Sequence, residues 1–566
     1  MHGELLEPLR YYKSHLAKEA EQNALSFFDA LLKQSGVDEG QNAETVKKYD
    51  AEKQKADAME KHLTRLKVFR VLLIIAAVAG GISAVIGIFQ FEASLGLGLG
   101  LLLGGLAVLG GSIALLLALL RPKIRHFSEI LEGHRKKEAE YYGEAMAQMA
   151  PLNAAFRERD ALTVMEKTLP ELVFDERYTK EQDVFFRRMH DFIDFNDENS
   201  SVTDLLSGRL CGNPFLFCKR RIMEMGSAVY HGTLLITWTE TYRDSNGHIR
   251  RRTRTQTLHA SITRPKPYYS PHVFLIYGNQ AAPRLIFSRT PEHWEKYTEK
   301  QKARKIREGE KELRKKAEKA TVDGGNFQEM ANTEFEVMFG AVDRNNEVEF
   351  RLMYTPLGQR NTTELLQNKE GFGDDFHLNK YKRATVVVSE HAQKMGIDTS
   401  PQRYRSHSVA LSREKFVSFN REFFRSLFFD FAPILSVPAY QEEPVASMEP
   451  VEDYPSNQTY YEHEILANTL GDASFLPPEA ATEAILKTSL SRREGGVDEV
   501  EVEAFAFSAH DRVEFVPVLG GDGRMHPVPV PWVEYLPVSA SSTVSVSEGE
   551  DGDVTRHGLT LRLWDR

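Results

Sequence analysis

Two long stretches without a charged side chain, Val71 to Gln90 and Ala93 to Leu120, constrain this 566-residue chain more than anything else in it. Both are rich in Val, Ile, Leu, Ala and Gly, and at ~1.5 Å per residue each can cross a hydrocarbon core of ~30 Å. A charge at the centre of such a helix costs roughly 2.5–3.5 kcal/mol, whereas each Leu, Ile or Val contributes about −0.3 to −0.6 kcal/mol. The two segments, broken only near Gln90, Phe91 and Glu92, are therefore predicted to insert as a transmembrane hairpin within 68–121, with spans at 71–90 and 97–120. A soluble core helix rarely runs past ~14 apolar residues without a polar stripe.

The flanks set the orientation. Lys61, Arg65, Lys67 and Arg70 precede the first span and Arg121, Lys123 and Arg125 follow the second, while the connection carries only Glu92. Basic flanks stay on the cytoplasmic side, so both termini are expected there and the lipid bilayer is the first partner. Ala76, Gly80 and Ala84 on one span, and Gly96, Gly100 and Gly104 on the other, fall at four-residue spacing, which lets helix backbones approach closely. Those faces could pair within one hairpin or between copies in a homo-oligomer. The spans hold no acid, base or proline break, so no ion path is legible.

A net charge of −10 argues against a nucleic-acid partner. Cys211 and Cys218 are the only cysteines, too few for a disulfide framework or a structural zinc site, and read as reduced thiols of a cytoplasmic domain. The opening MHGELLEPLRYYKSH has no apolar core or cleavage site, so the first span itself is expected to act as insertion signal.

The fold class expected is α+β: an N-terminal helical stalk with the two-helix hairpin, an antiparallel-sheet α+β cytoplasmic domain, and a small mainly-β C-terminal unit. Residues 1–67 read as cytoplasmic helices. Leu5 to Lys33 is amphipathic, and a second helix from Glu44 carries Tyr49, Ala56, Met59, Leu63 and Leu66 near a heptad seam. Residues 122–168 supply a matching stripe, Ile124, Phe127, Leu131, Tyr142, Ala145, Met149 and Leu152, so the two helices are expected to pack as an antiparallel coiled coil; a partner-binding helix is the rival reading. Glu52 and His134 interrupt this seam.

The α+β domain is expected over 169–440. Gly232 to Tyr242 and His248 to Thr263 read as a hairpin turned at Asn246-Gly247, the pair a type I′ turn prefers, which would put Tyr242 opposite Arg251 and Glu240 opposite Thr253. Arg250, Arg251, Arg252 and Arg254 on it could meet an anionic surface. Pro265, Pro267 and Pro271 mark a loop, Val273 to Tyr277 and Pro283 to Phe287 are further strands, and Thr290-Pro291 starts a charged helical insertion over 291–323 that ends at Gly324-Gly325. Phe335 to Val342 with Val348 to Tyr354 form a second antiparallel pair. Thr355-Pro356 caps a helix to Leu366, Ala384 to Val388 is a buried strand, and Asn420 to Leu435 is a helix covering the sheet. An acidic linker with prolines spans 441–456. The C-terminal unit, 457–566, holds strands at Val500–Phe507, Val513–Val518, Val530–Tyr535 and Leu559–Trp564, and an acidic loop at Glu548–Asp553.

Phosphate-loop, nucleophile-elbow and H-E-x-x-H motifs are absent from the sequence, and the adjacent Glu462-His463-Glu464 point to different sides of any regular element. No catalytic residue, cofactor or metal ligand is nominated. Gly212-Asn213-Pro214-Phe215, Tyr230-His231-Gly232-Thr233-Leu234, Phe335-Glu336-Val337-Met338-Phe339 and Glu349 to Pro356, in that order, resemble a bacterial family of two-span membrane proteins carrying a cytoplasmic α+β domain of unknown function. The resemblance covers roughly 169–438 and departs in the N-terminal helices, the charged insertion and the C-terminal unit. It implies a bacterial, envelope-associated role at the inner membrane, with a membrane or cytoplasmic protein partner of LemA-like type. Three functions follow as expectations: a membrane-anchored scaffold or adaptor, a membrane-tethered enzyme acting on lipid or envelope intermediates, and an oligomeric pore.

Overall fold

The heptad seam and the apolar spans fold into two very long helices. In the computed structural model, which describes residues 5–90, 95–243, 247–325, 327–442, 457–549 and 552–563, one helix runs unbroken from Glu39 to Phe89. The Asp38 side chain caps it by accepting from the Gln41 N–H. The second comprises Leu95–Leu115, a π-turn at Leu116–Leu120, and Arg121–Ala155. Both are long and apolar enough to cross a membrane. Phe91 and Glu92 lie outside the described residues.

Contacts divide the chain into two units, Gln22–Asp160 with Ser400–Phe419, and Met1–Glu21 with Ala161–Thr399 and Asn420–Arg566. In the first unit the two helices pack antiparallel. Tyr49, Ala56 and Leu63 are buried at seven-residue spacing, and Ala77, Gly80, Ala84 and Gly87 continue that seam into the apolar segment. Gly98, Gly105 and Ser112 repeat every seven residues opposite them. Glu52 and His134 face each other in the seam, and Arg135 reaches Asp57, Glu60 and Glu138. The Ser400–Phe419 segment straps the charged end: Asn42 donates to the His407 carbonyl and accepts from the Val409 N–H, while Asn153 does the same with Ser406.

The second unit is α+β with two antiparallel sheets. Its strands are β1 (Leu172–Phe174), β2 (Ser200–Leu210), β3 (Asn213–Arg243), β4 (Ile249–Gly278), β5 (Ile286–Arg289), β6 (Phe376–Tyr381) and β7 (Ala384–Ser389), then β8 (Ile485–Glu494), β9 (Val497–Leu519), β10 (Met525–Glu548), β11 (Val554–Arg556) and β12 (Leu559–Leu563). The first sheet has the order β1-β2-β3-β4-β7-β6-β5 and the second β11-β12-β10-β9-β8. The helix Tyr460–Leu470 serves both cores: Tyr461 and Ile465 pack with Leu216, Phe274 and Ile276, and Leu466 and Ala467 with Val502, Ala504 and Val546. Phe431, in the helix that starts at Val409, packs edge-on to Phe215 and Phe217.

Five local expectations are corrected. Pro265, Pro267 and Pro271 lie inside the 30-residue β4, not in a loop. Proline lacks an N–H, and these three sit two or four residues apart, so each turns its missing donor to the side of β4 away from β3. That side is unpaired there, because β7 meets β4 only from Leu275 to Gly278.

The hairpin register also moves by one residue. Tyr242 pairs with Arg250 and Glu240 with Arg252, and the last described pair is Arg243 with Ile249. Asn246 lies outside the described residues. A one-residue slip exchanges the two faces.

Phe335 to Val342 and Val348 to Tyr354 are not strands. They form the helices Thr333–Phe339 and Glu347–Met353, each capped by an asparagine, Asn332 and Asn346. Phe335, Met338 and Phe339 are buried at i, i+3, i+4, the helical period that apolar content alone obscured.

The charged helix starts at Glu299 behind a Thr298–Gln301 capping box, not at Pro291. The backbone N–H groups of Glu292 and Trp294 donate instead to buried Asp374, which holds that stretch out of the helix. Val500–Phe507 and Val513–Val518 prove to be one strand, β9. Residues 443–456, 550–551 and Trp564 fall outside the described residues.

Candidate interaction surface

β3 with β4, and β9 with β10, run far beyond their sheets as two-stranded ribbons. β2 leaves β3 at Ile222, and β8 leaves β9 at Phe505, so the distal halves pair only with each other. A ribbon of this kind is marginal alone in water and needs an apolar face covered. Here the ribbons cover each other: Ile236, Leu258 and Val528 form a small buried core with Leu234, Trp238, Ala260 and Val518 around it. Gly232 lies so close to Pro529 and Val530 that no side chain would fit there. Arg264 stacks 5.2 Å over Trp532 and pairs with Glu514.

Alternation then decides what faces outward. On β3–β4 the outer face carries Thr237, Thr239 and Thr241 opposite Thr255, Thr253 and Arg251, all exposed. The even-numbered Arg250, Arg252 and Arg254 share the other face with Tyr242 and Glu240, and Arg254 pairs with Glu240 at 2.6 Å. Arg250, Arg251, Arg252 and Arg254 are all exposed near one ribbon end but are divided between its two faces.

On β9–β10 the outer face is apolar. Val513, Phe515, Pro517 and Leu519 lie opposite Pro531, Pro529, Pro527 and Met525, without a charged or hydrogen-bonding side chain among them. Val513, Phe515, Leu519 and Met525 are 55%, 64%, 63% and 58% exposed. Sequence reasoning passed over this surface because the intervening Val516, Val518, Val528 and Val530 are apolar too, which reads as a strand buried on both sides. Pro527, Pro529 and Pro531 remove every second N–H from the free edge of β10, so a further strand cannot hydrogen-bond along it.

In the apolar helices the residues predicted for packing separate into two groups. Gly80 and Ala84 lie in the intrachain contact, where a Cβ on Gly80 would meet the Gly105 carbonyl oxygen at 2.8 Å. Ala76 is half-buried and Ala77 replaces it in the contact. Opposite them are Gly98 and Gly105, while Gly96, Gly100 and Gly104 face away with nothing within 4 Å. The contact keeps the seven-residue repeat of the stalk, and four-residue spacing drifts off such a seam.

Several buried ionisable groups of the second unit are paired with one another or with backbone carbonyls. Arg289 and Asp374, both fully buried, pair with each other, and Arg289 also donates to the Phe339 and Phe376 carbonyls. His391 donates to Asp375 (2.7 Å) and to the Ser426 carbonyl (3.0 Å), lies 3.3 Å from Asp430, and stacks on Phe372 at 4.0 Å. Burial alone would lower its pKa, but Asp430 and Asp375 outweigh burial and raise it to about 10. With both ring nitrogens donating, His391 has no lone pair to act as a base toward nearby Ser389. Glu462, His463 and Glu464 are buried on the helix Tyr460–Leu470, and His463 points to Asp498 at 3.5 Å. No group of three or more His, Cys, Asp or Glu among the described residues is arranged to hold a metal ion. Cys211 and Cys218 are buried and form no disulfide.

No protein-family model, curated protein or solved structure matches the chain.

Proposed function

We propose that the chain is a membrane-anchored scaffold or adaptor of the bacterial inner membrane, with two spans, both termini cytoplasmic, and ribbons that bind protein or membrane surfaces. The observation that carries this reading is the exposure of the apolar helices. Only 22% and 11% of their most apolar windows are buried, and Ile75, Ile82, Leu95 and Leu103 are among the large side chains left outside. A core helix of a soluble protein is mostly covered, whereas these need a hydrocarbon solvent. The basic flanks Lys61 to Arg70 and Arg121 to Arg125 support the cytoplasmic orientation. The long ribbons support binding rather than chemistry, since their outward faces present threonines, arginines and an apolar strip.

Alkaline carbonate extraction and protease protection in spheroplasts test this. The chain should stay with the membrane and resist protease added from outside. Release by carbonate, or digestion of its C-terminal half from outside, would sink the proposal.

A further inference from the structure

The outward face of β9–β10 lacks a covering layer. Its opposite face is closed by β3–β4, so the ribbon is covered on one side only. A layer that covers this strip approaches face-on, and the prolines block edge pairing at β10. It must also be flat and apolar, since Val513, Phe515, Leu519 and Met525 offer nothing to a charged partner.

Area selects the occupant. Seven residues of each strand, at ~3.4 Å per residue and two strands ~4.8 Å apart, give a strip of roughly 250–300 Å² once side-chain width is added. A stable complex formed from free solution covers about 800 Å² per partner. A strip this small suffices only for partners already concentrated by a shared tether, where the second encounter is effectively intramolecular. A second copy of this chain meets both conditions, because it brings an identical flat apolar strip and its own two apolar helices. A two-fold axis through the strip makes one surface complementary to itself.

We infer that two copies anchored in one bilayer associate by stacking their β9–β10 ribbons through Phe515 and Leu519. The inference rests on the membrane-anchored reading above.

The test uses the full-length chain, purified and reconstituted into phosphatidylcholine–phosphatidylglycerol vesicles, with cysteines introduced singly. The native thiols are buried and do not interfere. Under mild oxidation Phe515→Cys and Leu519→Cys should form disulfide-linked dimers, and Thr239→Cys, on the outward face of the other ribbon, should give at least five-fold less. Energy transfer between labelled copies should fall at least five-fold with Phe515→Asp, and with Phe515→Ser should the aspartate disturb folding. It should be unchanged by Gly100→Leu. Equal cross-linking at Thr239→Cys, no cross-linking at either ribbon position, or transfer that responds to Gly100→Leu but not to Phe515→Asp overturns the inference while the anchored reading stands. Release of the chain by carbonate overturns both.

Discussion

His134 donates to Glu52 across the stalk, Nδ1 to Oε2 at 2.7 Å, joining residues 82 positions apart at two seam positions that interrupt the heptad stripe read from the sequence. Lys55 hydrogen-bonds the same carboxylate, and together with His134 it holds the Glu52 pKa down to about 2. A depressed carboxylate stabilises the folded state above its unfolded pKa of about 4.5, and that contribution is lost as pH falls through 2. His134→Leu and Glu52→Leu should each lower the thermal midpoint of the purified chain in detergent. The double variant should recover at least the wild-type value, because a leucine pair continues the apolar seam. A double variant less stable than both singles would contradict this.

The apolar helices make a sharper distinction. A Cβ on Gly105 would lie 2.5 Å from both the Ala84 nitrogen and the Gly80 carbonyl oxygen, all of it backbone. Gly105→Leu should therefore force the helices apart and cost about 1–3 kcal/mol. Gly100→Leu, which meets nothing within 4 Å, should leave intramolecular cross-linking between the two helices unchanged. Measuring that cross-linking separates the heptad contact from the four-residue one.

Arg289→Ala leaves Asp374 buried without its partner and should cost about 3–5 kcal/mol. Urea unfolding followed by tryptophan fluorescence should report it, since Trp294 donates its backbone N–H to the same carboxylate. A loss below about 1 kcal/mol would show that the pair is not a structural anchor.

His391 gives a pH dependence of the opposite sign. Its pKa is raised from about 6.5 to about 10, so its contribution is complete below pH 6.5 and fades as pH climbs toward 10. His391→Asn should be less stable than wild type at pH 6 and should close most of the gap at pH 10. Parallel stability curves across that range would refute the assignment.

For the arginine run, salt is the informative variable. If Arg250, Arg251, Arg252 and Arg254 meet an anionic surface, reversing Arg251 and Arg252 to Glu should reduce the protection of the ribbon end from protease in anionic vesicles, and 0.5 M salt should do the same to wild type. Protection independent of both would remove that role.

The apolar helices, the buried seam residues Tyr49, Ala56 and Leu63 and the capped helix start at Thr355 were readable because they depend on neighbours one to seven residues away. Thr355-Pro356 capping a helix to Leu366 and the buried strand at Ala384 are local events of this kind. The strand assignments at Phe335 and Val348 failed because both segments are short apolar runs whose period only burial reveals. The start of the charged helix failed because Asp374, more than eighty residues downstream of Pro291, competes for its first N–H groups.

Sequence by itself determined that two helices long enough for a bilayer exist and that an α+β body follows. Tertiary structure decided that Gly98 and Gly105 rather than Gly96 and Gly100 meet the partner helix, that prolines 265 to 271 sit in a strand, and that one face of β9–β10 is left uncovered. The reason is range. Hydropathy and capping act along the chain, but which side of a strand or helix is buried depends on what the rest of the fold presses against it, and alternation alone cannot distinguish a face that is covered from one that waits for a partner.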